Sequence, residues 1–410
     1  MTATDLTDLA GRLHESANRH RPDVQRFFAE IVSTRSMSGA EEAVARLIEK
    51  EMRSVGFDEV RIDRMGNVLG RVGSGPITVL MDGHIDTVDV GDPAEWKDNP
   101  PYPATVKDGV VRGRGAADQK CGVAALVEGG RLLKEFALTG DCTIWVTATC
   151  LEEDSDGIAL LHIIGEEGIK PDFCVITDST GLNVHRGQRG RMEITISVKG
   201  RSCHGSMPHL GDNAVTKAAA IVTEIDSLNH RLKEDPFLGK GTIAVSRIES
   251  TSPSLCAVPG EAMISIDRRL TAGETPEGAM DELRALPSVR AAGGVVALRQ
   301  YEQRCWTGFV VGQEKFYPTW VFDESHPLIQ ASLETASAVK GTPQRATRWT
   351  FSTNGVACAG RLGIPSVGFG PGAEELAHTV NEMCSVDDVL TAAVFYALLP
   401  TSLAARVARA

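Results

Sequence analysis

The sequence predicts an α/β fold: a mixed, largely parallel central sheet with flanking helices, into which a smaller α+β domain is inserted. Three observations carry this. From Val60 to Thr177 short apolar strands alternate with helical stretches, the pattern of helices covering a mainly parallel sheet. After Asn183 the pattern changes, and Arg191-Met192-Glu193-Ile194-Thr195-Ile196-Ser197-Val198 alternates polar and apolar residues, as a half-exposed antiparallel strand does. Beyond Arg304 a helix, a strand and a last helix resume the first pattern. At 410 residues the chain also exceeds the usual size of one domain. Residues 1–187 and 305–410 are therefore expected to form one domain and residues 188–304 the insertion.

In order, residues 5–17, 22–32 and a stretch from about 38 read as helices, with Glu41 and Glu42 in the first turn of the third and Gly56 stopping it. Strands are expected over 77–80, 143–149 and 173–177, with helices over 122–136 and 157–164 between them. The insertion reads as strand 191–198, helix 212–232, strands 242–248 and 262–269, helix 275–286 and strand 295–301, a split βαβ or ferredoxin-like unit. A loop over 306–318 then leads to helix 327–339, strand 366–369 and helix 386–399.

Charge and composition narrow the partners. Net charge is −12, from 54 acidic and 42 basic residues, and no Lys/Arg block is present, so neither nucleic acid nor an anionic membrane is expected as a partner. The nine cysteines are scattered and never spaced Cys-x-x-Cys, which suggests reduced thiols in a cytoplasmic protein. Met1-Thr2-Ala3-Thr4-Asp5 shows no basic region followed by an apolar core, and no apolar run approaches the roughly 20 residues of a membrane helix.

Chemistry-bearing residues gather at strand ends. His84 and Asp86 close the apolar run that starts at Ile77. Residues i and i+2 of an extended segment share a side, so Asp86 could accept the second ring N–H of His84 and orient it toward a metal. For the pair alone, a strand end with a satisfied surface histidine is the better fit, and the rest of the chain overturns it. Asp118 opens the helix after Gly113-Arg114-Gly115, where an ordinary N-cap also fits. The third glycine of a dinucleotide loop is missing. Glu152, Glu153 and Asp154 follow strand 143–149, and adjacent carboxylates converging on a cleft call for a cation. If the strand persists, Glu152 and Glu153 face opposite ways, one ligating and the other facing a reacting water. Asp178 ends a further strand, and the carboxyl ends of parallel strands are where open α/β sheets place their sites. His378 lies in a late loop. His14, His20, His162, His185, His209, His230 and His326 lack such acidic company and read as structural.

Taken together, Gly83-His84-x-Asp86-Thr87-Val88, Gly113-x-Gly115-x-x-Asp118-x-Lys120, Glu152-Glu153, Asp178-Ser179-Thr180 and Gly368-Phe369-Gly370-Pro371-Gly372…Ala377-His378 resemble the co-catalytic zinc family of aminoacylases, glutamate carboxypeptidases, acetylornithine deacetylases and succinyl-diaminopimelate desuccinylases. The match runs from about Ser38 to Leu399. The resemblance implies a zinc-exopeptidase-like catalytic domain in which Asp118 bridges two divalent metals, zinc with cobalt or manganese as alternatives. His84 and Asp178 would complete one site and Glu153 and His378 the other. Glu152 would be the general base and Asp86 the residue that orients His84.

Gly200-Arg201-Ser202-Cys203-His204-Gly205…Asp212-Asn213-Ala214 is similar to the family's dimerisation-domain motif. It implies a homodimer through the insertion, with His204 holding the substrate carbonyl oxygen. Asp267-Arg268-Arg269-Leu270 resembles the strand whose arginine grips a substrate carboxylate, matching Arg269. Asn213, Asn354 and Gly370 are implied as further substrate contacts. The strings at residues 186–194, 265–270 and 349–356 look closest to the selenium-metabolism-linked hydrolase branch. Two departures stand out: Cys121 where a glycine is common, and Asp178-Ser179-Thr180 for Glu-Pro-Thr, which shortens one metal ligand by a methylene. The expected reaction is hydrolysis of an amide or peptide bond in a small N-acyl amino acid or dipeptide-like substrate, one with a free carboxylate, by a hydroxide held between two metals. A hydrolase of another C–N bond, carbamoyl or aryl amine, or a metal- or metabolite-binding homologue without turnover would share most of these residues.

Overall fold

The computed structural model describes residues 3–97 and 99–407. The expectation of no leader segment at Met1 and Thr2 falls outside them. The chain begins with one helix, α1 (Ala3–Ser33), where two were expected. Pro22 sits inside it without ending it, and Leu13, Ala17, Phe27, Phe28 and Ile31 bury a continuous face. That burial outweighs the one backbone hydrogen bond a mid-helix proline removes. Next come α2 (Glu42–Ser54), β1 (Glu59–Ile62), β2 (Val68–Gly73), β3 (Ile77–His84), β4 (Thr105–Lys107), β5 (Val110–Arg112), α3 (Lys120–Glu135), β6 (Cys142–Thr149), α4 (Ile158–Glu166), β7 (Phe173–Ile176) and β8 (Val184–Gln188).

The insertion follows as β9 (Gly190–Lys199), α5 (Ala214–Asn229), β10 (Glu234–Asp235), β11 (Gly239–Lys240), β12 (Thr242–Thr251), β13 (Glu261–Leu270), α6 (Pro276–Ala285), α7 (Pro287–Ala292) and β14 (Val295–Leu298). Its sheet runs β12-β13-β9-β14, antiparallel throughout. Met192, Ile194, Ile196 and Val198 point inward onto a core of their own with Ile221, Ile225, Ile264 and Leu283, as the alternation in the sequence requires.

The stretch expected as a loop over 306–318 is structured instead. β15 (Gln300–Arg304) and β16 (Val310–Glu314) form a hairpin, and β17 (Phe316–Tyr317) pairs with β9, so the chain leaves the insertion's sheet only after Tyr317 and not at residue 305. The cause is local: β15 and β16 alternate half-buried and exposed residues and present little apolar surface, so the pairing rests on backbone hydrogen bonds that periodicity does not reveal. β18 (Trp320–Val321), α8 (Pro327–Lys340), β19 (Ala346–Trp349), β20 (Ser366–Gly368), β21 (Met383–Ser385) and α9 (Val386–Val407) complete the chain.

The large sheet has the order β1-β2-β6-β3-β7-β20-β8-β18, with β19 beside β8. Its centre, β6, β3, β7 and β20, is parallel. Because β6, β3 and β7 run the same way, Thr149, His84 and Ile176 end at one rim, and the residues that follow them meet there. α9 is longer than expected, and by length and composition it is apolar enough to cross a membrane. It lies inside the protein, packed on α1, α3 and α8, with Leu390, Val394, Phe395, Leu398 and Leu399 buried; Phe395 stacks on Phe369 at 3.8 Å between centroids.

Close packing reaches the rim itself. A Cβ added at Gly368 on β20 would lie 2.1 Å from the Trp349 ring, and both residues are buried. Gly368→Ala is expected to cost about 1–3 kcal/mol of stability, the usual penalty of overpacking a filled core. The urea-unfolding midpoint measures it; an unchanged midpoint would show that the ring has room to move.

Candidate metal centre

The rim of β3, β6 and β7 collects the acids and imidazoles singled out above. β3 delivers His84, β7 runs into Asp178, and the β6–α4 turn carries Glu152 and Glu153. Asp118 stands just before α3. His84 Nε2 lies 3.1 Å from Asp118 Oδ1, and His378 Nε2 lies 3.2 Å from Asp118 Oδ2 and 3.0 Å from Glu153 Oε2. The two oxygens of one carboxylate thus face two different histidines. The ligand atoms fall into two groups, His84 with Asp118 and Asp178, and Asp118 with Glu153 and His378, each within 4.8 Å. Glu152 Oε2 is 3.8 Å from His84 Nε2.

Glu152 and Glu153 do not alternate along a strand. β6 stops at Thr149, Leu151 takes a positive φ of 65°, and the turn aims both carboxylates inward. The turn is held by its N–H groups. Glu152 N and Glu153 N donate to the Asp86 carboxylate, each at 3.1 Å, and Leu151 N donates to Glu41 Oε1 at 3.3 Å. This revises the role expected of Asp86. His84 Nδ1 sits 3.0 Å from the Asp86 backbone carbonyl and 3.6 Å from its carboxylate, so the main chain orients the imidazole and the side chain positions the Glu152-Glu153 turn.

Crowded like charges shift these groups. Burial pushes the Glu152 and Asp178 carboxyls well up, and Glu153 up to about 7 with Asp118 adding to it. Burial alone would raise Asp118 too, but hydrogen bonds from His378 and His84 hold it below its usual range. Contact with Asp118 and Glu153 raises His378 to about 10. Glu153 Oε1 is buried without a hydrogen-bond partner. Four carboxylates and two imidazoles, one oxygen orphaned, fit a pair of divalent cations: a cation's charge reverses the cost of collecting buried anions, and N/O donors are what such ions take.

Several supporting residues went unrecognised in the sequence. Glu382 Oε1 accepts the N–H groups of Ala117 and Asp118 at 3.0 and 2.9 Å, while Oε2 accepts from Arg114 at 2.7 Å. Lys120, fully buried, donates to Thr34 O at 2.7 Å, and burial lowers it to about 7. Asp82, two residues before His84, is buried and pushed up to about 6. An acid in the middle of a buried parallel strand is a signal that could have found it. Nothing in the sequence marks Glu382 out from other loop acids.

Asn354 and Gly370 are engaged within the protein. The Asn354 amide donates to Asp82 (2.8 Å) and Thr149 (3.0 Å) and accepts from Gly157 N (2.6 Å), so it braces the strand ends. Gly370 exchanges its N–H and carbonyl with the Thr180 hydroxyl at 2.9 and 3.0 Å, and a Cβ there would meet Thr177 O at 2.0 Å. Asn213 caps α5, accepting from Val215 N and Thr216 N. Arg269 on β13 pairs with Asp267 on its own strand at 2.7 Å. His204 is exposed, its ring Nδ1 hydrogen-bonded to Ser206 of its own loop, and it does not touch the metal-ligand candidates. The histidines read as lacking acidic company need correction in three cases. His20 lies 2.7 Å from Glu128, His162 lies 3.7 Å from Glu167 and His185 lies 3.8 Å from Glu374. Except for His162 and Glu167, five residues apart, these pairs are separated by more than 100 residues, and no local pattern exposes them. Cys121 is buried and donates to Ala117 O at 3.2 Å, filling the space beside the Asp118 turn.

A rim of this kind on this sheet defines a dinuclear metallohydrolase. Residues 80–402 match the model of peptidase family M20/M25/M40, and the chain belongs to that family. It is 47% identical over 388 residues to the uncharacterized protein YgeY of Escherichia coli K12, covering 95% of this chain and 96% of that one. It is 25% identical over 379 residues to succinyl-diaminopimelate desuccinylase of Hahella chejuensis, covering 88% and 91%. In fold it matches the Bacillus subtilis YXEP protein, a dinuclear metal-binding peptidase of the M20 family, with a TM-score of 0.69 at 12% identity over 94% and 98% of the two chains.

Asp118→Ala is expected to remove more bound metal than any other single ligand change, because its two oxygens face both groups while His84, Asp178, Glu153 and His378 each belong to one. Metal analysis of dialysed variants checks this; near-full occupancy without Asp118 would sink the bridging assignment.

Proposed function

We propose that the protein hydrolyses an amide or peptide bond in small N-acyl amino acid or dipeptide-like substrates, with Glu152 as the general base. The observation that carries this is the position of Glu152: buried, 3.8 Å from the His84 ring, and held by a turn whose N–H groups are locked onto Asp86. His84, Asp118 and Asp178 would hold one divalent cation and Asp118, Glu153 and His378 the other, zinc first, with cobalt or manganese equally suited to N/O donors. When bound, such a pair supplies Lewis-acid polarisation of a carbonyl and lowers the pKa of a water.

The chain's own residues supply the rest. Glu152 would take the proton of the attacking water at a carboxylate oxygen and deliver it to the departing nitrogen, general acid–base work conventionally worth about 10²–10⁴-fold. His204 would donate to the developing oxyanion, and Arg269 would meet a substrate carboxylate in exchange for its present partner Asp267. A cytoplasmic homodimer joined through the inserted domain goes with this reading. It is supported by the edge strand β12, with Ile248 exposed, and by exposed Leu255 and Met207 in the same domain.

Glu152→Gln keeps shape and ligands but cannot accept a proton. Turnover of N-acyl amino acids should collapse with metal content intact; a variant holding more than about a tenth of wild-type activity contradicts a role worth 10²-fold or more.

His204 lies in the insertion, far along the chain from the ligands, and in a dimer each subunit would lend it to the other's site. Inactive Glu152→Ala and His204→Ala dimers, unfolded together and reassembled, should then give mixed dimers in which one site has both groups intact. Activity should reappear. Verified mixed dimers without activity, or a monomer by light scattering, would refute the shared site.

A further inference from the structure

A third cluster of potential ligands lies away from the rim and shares no residue with it. Asp63 follows β1, His162 lies on α4 and Glu167 caps the end of that helix. One donor atom from each lies within 4.8 Å of the others. His162 is 9% exposed, and its Nε2 is buried with no hydrogen-bond partner. That nitrogen stands 3.7 Å from Glu167 Oε1, close to the edge of about 3.4 Å expected for a tetrahedron with ligand bonds of about 2.0–2.2 Å.

The remaining contacts leave donor capacity facing the same space. Asp63 Oδ1 accepts the N–H groups of Met65, Gly66 and Asn67, and Oδ2 accepts from Asn67 Nδ2 at 2.8 Å, so Oδ2 keeps a lone pair. Glu167 Oε2 is paired with Arg61, which leaves Oε1 toward His162. A buried imidazole with an unpartnered nitrogen beside two carboxylates is costly as it stands. A divalent cation removes that cost and leaves the pocket close to neutral.

We propose that Asp63, His162 and Glu167 bind a third divalent cation of the zinc type, a structural ion apart from the catalytic pair. It would join the end of β1 to α4 beneath the β15–β16 hairpin, whose Phe309 ring lies 5.5 Å from the His162 ring and 4.5 Å from the Arg64 guanidinium. The Asp63 loop also reaches the catalytic rim, because Asn67 Oδ1 accepts from Cys150 N at 2.8 Å, two residues before Glu152. The ion would therefore stiffen the footing of that turn without touching substrate.

The test compares full-length wild type with His162→Gln and Glu167→Gln, each freed of metal by chelator, reloaded with zinc and passed through gel filtration. Metal analysis should find one ion per chain fewer in each variant. Because the reading is a difference, it stands whatever the catalytic centre retains. Thermal midpoints of the variants should fall below wild type in zinc and converge with it in chelator. Equal zinc content in all three proteins overturns the proposal. A stability loss of the same size with and without chelator likewise overturns it. Should His162→Gln fail to fold, Glu167→Gln, which removes one charge and no volume, decides alone.

Discussion

The Asp86 carboxylate is the constraint on which the site depends. It is fully buried, it accepts the N–H groups of Glu152 and Glu153, and it accepts the Ser38 hydroxyl at 2.7 Å. One side chain at the end of β3 thereby fixes the turn after β6 and the loop before α2, while its own carbonyl orients His84. Charge-assisted hydrogen bonds to a buried anion are about twice as strong as neutral ones, and removing their acceptor would leave three donors unsatisfied. A shift of the turn would carry Glu152 and Glu153 together, so the two carboxylates keep their spacing.

Gathering so many acids at one rim is unfavourable until counter-charge is provided, and the fold provides part of it. Arg114 neutralises Glu382, which in turn anchors the N–H groups of Ala117 and Asp118. Asp82 is held by Thr147 and Asn354, neutral donors that stabilise a carboxylate without adding charge. No arginine or lysine pairs directly with Asp118, Glu152, Glu153 or Asp178 among the described residues. That division is physically sensible: fixed cations at the ligands would compete with metal, whereas those one step behind hold the backbone without occupying the coordination sphere.

The sequence disclosed most of the acids and imidazoles that cluster at the rim because strand ends are legible. Apolar runs ending in His84, Glu152-Glu153 and Asp178 announce both a parallel sheet and the rim at which it terminates. What it concealed depends on contacts across the chain. Asp86 read as the orienter of His84 because i and i+2 share a side, yet its carboxylate was taken by N–H groups 66 and 67 residues away. Asn354 and Gly370 read as substrate contacts through resemblance, and only their saturated hydrogen bonds give them scaffold roles. The two helices expected before Val32 are one, since a buried face on both sides of Pro22 overrides a local breaker.

The division of the chain shows the same limit from the other side. The insertion's start was legible because β9 alternates cleanly and buries Met192, Ile194, Ile196 and Val198 in a separate core. Its end was not, because β17 contributes two residues and the β15–β16 hairpin turns only Tyr301 and Val311 of its strands onto the core. That hairpin instead ties the two parts together. Tyr301 approaches Asp154, Gln313 donates to Ser155 at 2.7 Å, and Lys315 donates to the Asp154 carbonyl, all in the residues directly after Glu152-Glu153. The return path from the insertion therefore packs against the Glu152-Glu153 turn, so any movement of the inserted domain would pull on the segment that carries these two carboxylates.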